Sequence, residues 1–211
     1  MLNVFYYTGG IAQTNGWVWE TEGGPLLVDA PEGIVDWLDA RGVRPVALLL
    51  THQHFDHVME AAAVKERFGC PIYAWCAYAR KLTLEDFFGM ATGISLSVPE
   101  FEVDHVLEGL DAVDVAGLLF DLKHVPGHSA DSLCFHAAAE KLLFDGDTLL
   151  ADSVGRTDFP GGSSRLLLSG IADKLLVLSE STRVLPGHGP ETTIGEERLN
   201  NGGLQRLKEV A

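Results

Sequence analysis

The stretch THQHFDHVME, Thr51 to Glu60, places three histidines and one aspartate close together: His52, His54, Asp56 and His57. In an extended segment His52 and His54 point the same way, because successive side chains alternate between faces. Asp56 continues that face and His57 leaves it. Both still reach a common centre if the chain turns into a helix starting near Asp56. One short segment can then offer two ligands to each of two adjacent metal ions.

A histidine and carboxylate centre needs further donors from elsewhere in the chain. Three stretches each supply one. HVPGHSADS puts His128 after a predicted strand and a Pro-Gly turn, LLFDGDTLL puts Asp147 at a strand end beside Gly146, and RVLPGHGP puts His188 between Gly187 and Gly189. Donors on Gly-rich turns at strand ends are positioned by a rigid scaffold. The remaining histidines, His105, His124 and His136, are read as surface or internally satisfied side chains.

Outward from these donors the chain alternates short β-rich runs with helical segments. LNVFYY, WVWE and PLLVDA read as strands separated by Gly-containing turns. EGIVDWLDARG reads as a helix ending at Gly42, and VALLLT as the strand that leads into the donor cluster. VMEAAAVKERFGC reads as one helix with Gly69 as its C-cap, followed by the strand PIYAW. RKLTLEDFFGM is read as helical and ATGISLSVPE as a loop. LLFDLKHV, SLCFHA, KLLFDGD and RVLP are the later strands. Between the last two, SSRLLLSGIADKLLVLSE carries Leu167, Ile171, Leu175 and Leu178 at helical spacing, with Ser163 or Ser164 as N-cap. Two batches of strands with helices suit one domain over residues 1–211, built as two sheets flanked by helices. Periodicity alone fits an open α/β sheet equally well.

Composition narrows the function classes. With 46% hydrophobic and 21% charged residues the chain is an ordinary globular one. No apolar run approaches the length of a membrane span, and VALLL stops at Thr51. A formal charge of −15 disfavours a general nucleic-acid binder. Cys70, Cys76 and Cys134 form no C-x-x-C pair, and read as reduced, mostly buried thiols. With no basic leader in MLNVFYYTGG, the expected compartment is the cytoplasm.

H-x-H-x-D-H followed by His128, Asp147 and His188 resembles the metallo-β-lactamase-fold superfamily over nearly the whole chain. VPGHSADS, FDGDTLL, GRTDFPGG (Gly155 to Gly162) and PGHGPETTIGEER are similar to its glyoxalase II-like hydrolase branch, particularly the shorter bacterial members. The resemblance implies a four-layer αββα sandwich of two mixed sheets. It assigns His52, His54 and His128 to a first metal, Asp56, His57 and His188 to a second, and Asp147 to both. It also makes Asp29, at the end of PLLVDA, a partner that orients a ligand. Arg156 falls in a loop that could face the substrate. Full-length glyoxalase II enzymes hold glutathione with basic residues of a further helical region. Here Arg198, Arg206 and Lys208 are the few basic residues after His188, so the thiol carrier stays open.

The expected cofactors are two divalent ions, zinc first, with iron or manganese as alternatives. Such a pair holds a hydroxide nucleophile at neutral pH and polarises a carbonyl, with Asp56 and Asp147 as the carboxylates of the reaction centre. A thiol leaves as thiolate almost unaided, so the expected reaction is hydrolysis of a small-molecule acyl thioester. The nearest alternative is a persulfide dioxygenase of similar fold, with a single iron on His52, His128 and Asp147. A lactonase or phosphodiesterase follows behind, and a non-catalytic metal-stabilised binding module last.

Overall fold

The computed structural model describes residues 3–205. Leu2 of the first predicted strand, and the basic Arg206 and Lys208, lie outside the described residues. The chain divides into two compact units, residues 1–108 and 109–211.

The first unit is built on a mixed six-stranded sheet in sequential order. Its strands are β1 (Asn3–Gly9), β2 (Thr14–Thr21), β3 (Gly24–Val28), β4 (Ala47–Leu49), β5 (Ile72–Ala74) and β6 (His105–Val106). The first three form an antiparallel meander, and β3 to β6 pair in parallel. Parallel neighbours need crossovers, and helices supply them. Helix α1 (Ile34–Arg41) links β3 to β4, while α2 (Phe55–Val58) and α3 (Ala61–Phe68) link β4 to β5. Helices α4 (Arg80–Thr83) and α5 (Glu85–Thr92) precede β6. Val18, Leu27, Leu48 and Ile72 of the sheet pack with Ile34, Leu38, Val58 and Val64 of the helices in one buried core.

The second unit carries another mixed sheet, in the order β14-β13-β10-β9-β8-β7. These are β7 (Ala112–Val115), β8 (Leu118–His124), β9 (Leu133–Ala137), β10 (Leu142–Gly146), β13 (Arg183–Pro186) and β14 (Thr192–Thr193). A small hairpin, β11 (Leu149–Leu150) and β12 (Ser153–Val154), follows β10. Helix α6 (Ser164–Gly170) runs into a π-helical turn, Ile171–Leu175, and α7 (Ile194–Asn200) follows β14. Leu167, Ile171 and Leu175 are fully buried against Val125, Leu143 and Val184, as their spacing predicts. Ser163 caps α6, its hydroxyl accepting from Leu166 N.

Three helical predictions need correction. VMEAAAVKERFGC is two helices, because α2 stops at Val58 and Glu60 opens α3. RKLTLEDFFGM is likewise broken at Leu84, whose φ of 58° is left-handed and cannot continue a helix. Its second half runs on to Thr92, two residues into the predicted loop. Helix α6 does not stay α-helical through Leu175, because the ladder widens at Ile171.

Candidate metal centre

Strand direction explains where the donors sit. In the first unit β3, β4 and β5 are parallel, so their carboxyl ends share one edge of the sheet. Asp29 follows β3, the His52–His57 stretch follows β4, and Cys76 follows β5. In the second unit β9 is antiparallel to both β8 and β10, and β13 is parallel to β10. Strands β8, β10 and β13 therefore run the same way, and His128, Asp147 and His188 follow their carboxyl ends.

Within the first unit the donors converge as the spacing requires. Ligand atoms of His52 and His54, of His52 and His57, and of Asp56 and His57 lie within 4.8 Å of each other. The chain leaves β4 extended, then His54 opens helix α2, which turns Asp56 and His57 toward the same centre. His57 is fully buried, and its Nδ1 donates to Asp29 Oδ2 at 2.8 Å. Asp29 also accepts from Thr51 N at 2.8 Å and from Thr51 Oγ1 at 2.7 Å. The Thr51 hydroxyl proton is thereby used, so its oxygen takes the proton of His52 Nδ1 at 3.2 Å. One carboxylate thus orients two imidazoles, one directly and one through a hydroxyl, and leaves Nε2 as the lone-pair nitrogen of each.

The second unit repeats the device with a different acceptor. His128 Nδ1 lies 2.8 Å from the main-chain oxygen of Arg156, which can only accept. His128 Nε2 faces Asp147 Oδ2 at 3.4 Å, and His188 Nε2 faces the same oxygen at 3.3 Å. A bulge in β10 next to Gly146 (φ 54°) carries the chain over to Asp147, and Gly187 N ties the β13 turn back to Gly146 O at 2.8 Å. Gly155 closes the turn from below. A Cβ there would meet Asp147 O at 1.8 Å and His128 Cβ at 3.1 Å.

Imidazoles fixed as Nδ1–H tautomers, with the lone pair on Nε2, together with carboxylate oxygens, are the donors divalent zinc, iron or manganese take, so the residues present fit such ions. Two neighbours of the donors were not singled out in the sequence. Thr14 bonds Asp56, and Asp145 is a buried carboxyl whose Oδ2 accepts from Leu149 N at 2.9 Å. Burial pushes the Asp145 carboxyl well above the usual range, and the nearby Asp147 charge adds to the push. Neither carries a sequence signal, since a Thr at the start of a strand and an Asp within one are ordinary.

The basic candidates are otherwise engaged. Arg156 forms a forked pair with Asp158, both contacts at 2.7 Å, and lies over the Phe159 ring at 4.0 Å. Arg198 donates to the carbonyls of Leu176 and Leu178, closing the end of the π-helical turn. The three histidines read as ordinary are so: His105 stacks on Tyr73, His124 bonds Ala130 O, and His136 pairs with Asp121. Cys70 and Cys134 are buried thiols and Cys76 is partly exposed.

The family model of the metallo-β-lactamase superfamily matches residues 9–188, and the chain belongs to that superfamily. Its fold is the metallo-β-lactamase fold, with two mixed sheets flanked by helices. The chain is 32% identical to the hydroxyacylglutathione hydrolase GloC of Haemophilus influenzae, over 87% of this chain and 89% of that one. Among solved structures it is similar to the BLEG-1 B3 metallo-β-lactamase, with 33% identity and TM-score 0.82, covering 94% of this chain and 98% of the other. It is also similar to TTHA1623 in a di-iron-bound form, with 35% identity and TM-score 0.78, covering 93% and 98%. The coarse class these relatives support is a metal-dependent hydrolase. Among the described residues no helix is long and apolar enough to cross a membrane.

Proposed function

We propose that this chain is a metal-dependent hydrolase that cleaves an acyl thioester to a carboxylic acid and a thiol, using a pair of divalent ions. By the resemblance to the glyoxalase II-like branch, His52, His54 and His128 would hold one ion and Asp56, His57 and His188 the other, with Asp147 a ligand of both. The observation that carries it is the Asp147 carboxylate. A single oxygen, Oδ2, faces both His128 Nε2 and His188 Nε2, at 3.4 and 3.3 Å, and these are rings assigned to different ions.

When bound, paired divalent ions supply the Lewis acidity that ionises water at neutral pH and polarises a carbonyl. This chain's own residues hold the arrangement. Asp29, Thr51 and the Arg156 carbonyl fix three imidazoles in one tautomer, while Asp56 and Asp147 bring the negative charge that balances the ions. An amine leaving group requires a proton donor, whereas a thiol with a pKa of about 8.5 departs as thiolate without one. The name of the Haemophilus relative points to the same class of bond. The substrate is a small molecule and the metal is zinc, iron or manganese.

Elemental analysis of purified protein, run beside hydrolysis assays on acyl-glutathione, other thioesters and a β-lactam, tests the reading. Two ions per chain and thioester turnover are expected. One iron per chain with oxygen uptake on glutathione persulfide would replace it with a dioxygenase, and turnover of the β-lactam alone would move the substrate class.

A further inference from the structure

Thr14 opens β2 and is fully buried. Its hydroxyl donates to Asp56 Oδ2 at 2.6 Å, across 42 residues of chain. The same carboxylate oxygen lies 3.5 Å from His57 Nε2. Thr14 reaches this place because the β1–β2 turn is tight. Gly10 and Gln13 take left-handed φ values of 69° and 57°, Gln13 N bonds Gly10 O at 3.2 Å, and Gly9 stands opposite Thr14 in the ladder.

We propose that Thr14 is a positioning residue that pins the Asp56 carboxylate and so decides whether the ion assigned to Asp56 is retained. The inference rests on the paired-ion reading above. The final torsion of an aspartate is broad, so a hydrogen bond to one oxygen helps to select which way the carboxylate faces. Asp56 keeps 12% of its side chain exposed, leaving room for it to turn toward water. The imidazoles have other anchors: Asp29 for His57, Thr51 for His52 and the Arg156 carbonyl for His128. The hydrogen bond of the Thr14 hydroxyl goes to Asp56. Its loss therefore falls on one ion and spares the other.

The test compares Thr14→Val, which keeps the shape and removes the hydroxyl, with Thr14→Ser, which keeps the hydroxyl. Ion stoichiometry and stepwise affinities are read by titrating zinc into the metal-free protein against a chromogenic chelator, with thermal unfolding of the metal-free forms as the folding check. Thr14→Val is expected to bind the first zinc as the unsubstituted protein does and the second about 10- to 100-fold more weakly, with Thr14→Ser restoring it. Two unchanged affinities in Thr14→Val, or equal loss of both ions, overturns the role of Thr14 while leaving the paired centre standing. A single zinc on the unsubstituted protein overturns both. If Thr14→Val does not fold, the serine variant decides: a second-site affinity lowered despite its hydroxyl overturns the proposal, and an unchanged one supports it.

Discussion

Asp29 Oδ2 and His57 Nδ1 are 2.8 Å apart in a fully buried setting, and Asp29 holds that position with a left-handed φ of 61°. The strained backbone turns the carboxylate away from the run of β3 and toward Thr51 and His57, where three donors converge on its two oxygens. Asn tolerates the same φ, so Asp29→Asn preserves the backbone. Its amide NH2 then faces at least one of those donors. Metal affinity should fall about 10- to 100-fold. The metal-free protein should lose about 1–3 kcal/mol. Chelator competition and urea unfolding measure the two, and an unaltered affinity would remove Asp29 from the orienting role.

Gly155 gives a steric prediction at the other set of donors. A Cβ there would sit 1.8 Å from the Asp147 carbonyl oxygen, which is main chain and has no flexible way to yield. The alanine variant must therefore push the Asp147 turn or the His128 turn aside. Overpacking of this kind costs about 1–3 kcal/mol. Gly155→Ala should unfold at lower temperature and bind metal more weakly, and full metal content at normal affinity would show that the turn absorbs the methyl.

Much of this arrangement is legible before any coordinates. His52 and His54 share a face because the segment is extended, and Asp56 and His57 join them because α2 starts there. Leu167, Ile171 and Leu175 are buried as their spacing requires. The parts that stay hidden depend on contacts between distant residues. Helix α1 shows no local cap, since Gly33 offers no side chain; Glu60 closes it from 27 and 25 residues away, accepting from Gly33 N at 2.7 Å and Val35 N at 2.9 Å. That same glutamate ends the donor stretch, and its own N–H bonds Ala30 O at 2.9 Å at the break between α2 and α3. Thr14 is hidden for a similar reason, as nothing local marks a hydroxyl whose partner is 42 residues on. Strands as short as β6, β11, β12 and β14 carry two residues each, too few for an alternating pattern to show.

Arg156 separates a main-chain contribution from a side-chain one. Its carbonyl orients His128, while its guanidinium is exposed and paired with Asp158. Arg156→Ala keeps the carbonyl and removes an exposed ion pair and a contact over the Phe159 ring, so the protein should fold with little loss of stability. Metal content should be unchanged, and any kinetic effect should appear in KM for an anionic substrate. Loss of metal from this variant would show that the guanidinium, rather than the backbone, holds the turn.

The thiols provide a pH test of burial. Burial pushes Cys70 from the ordinary 9.0 to about 11, and raises Cys134 as well, whereas Cys76 is partly exposed. Thiolate is the reactive form, so at about pH 8 only Cys76 should react quickly with a disulfide reagent, and the other two only on unfolding. The sign for stability follows from proton counting. With a folded pKa above the unfolded one, the unfolded chain gives up the Cys70 proton first as pH rises. The contribution is thus fully present below pH 9.0 and is lost progressively toward about 11. Urea unfolding across that window should show a decline in stability that is shallower in Cys70→Ala. An identical decline in the two proteins would mean that other groups, not this thiol, set the alkaline limit.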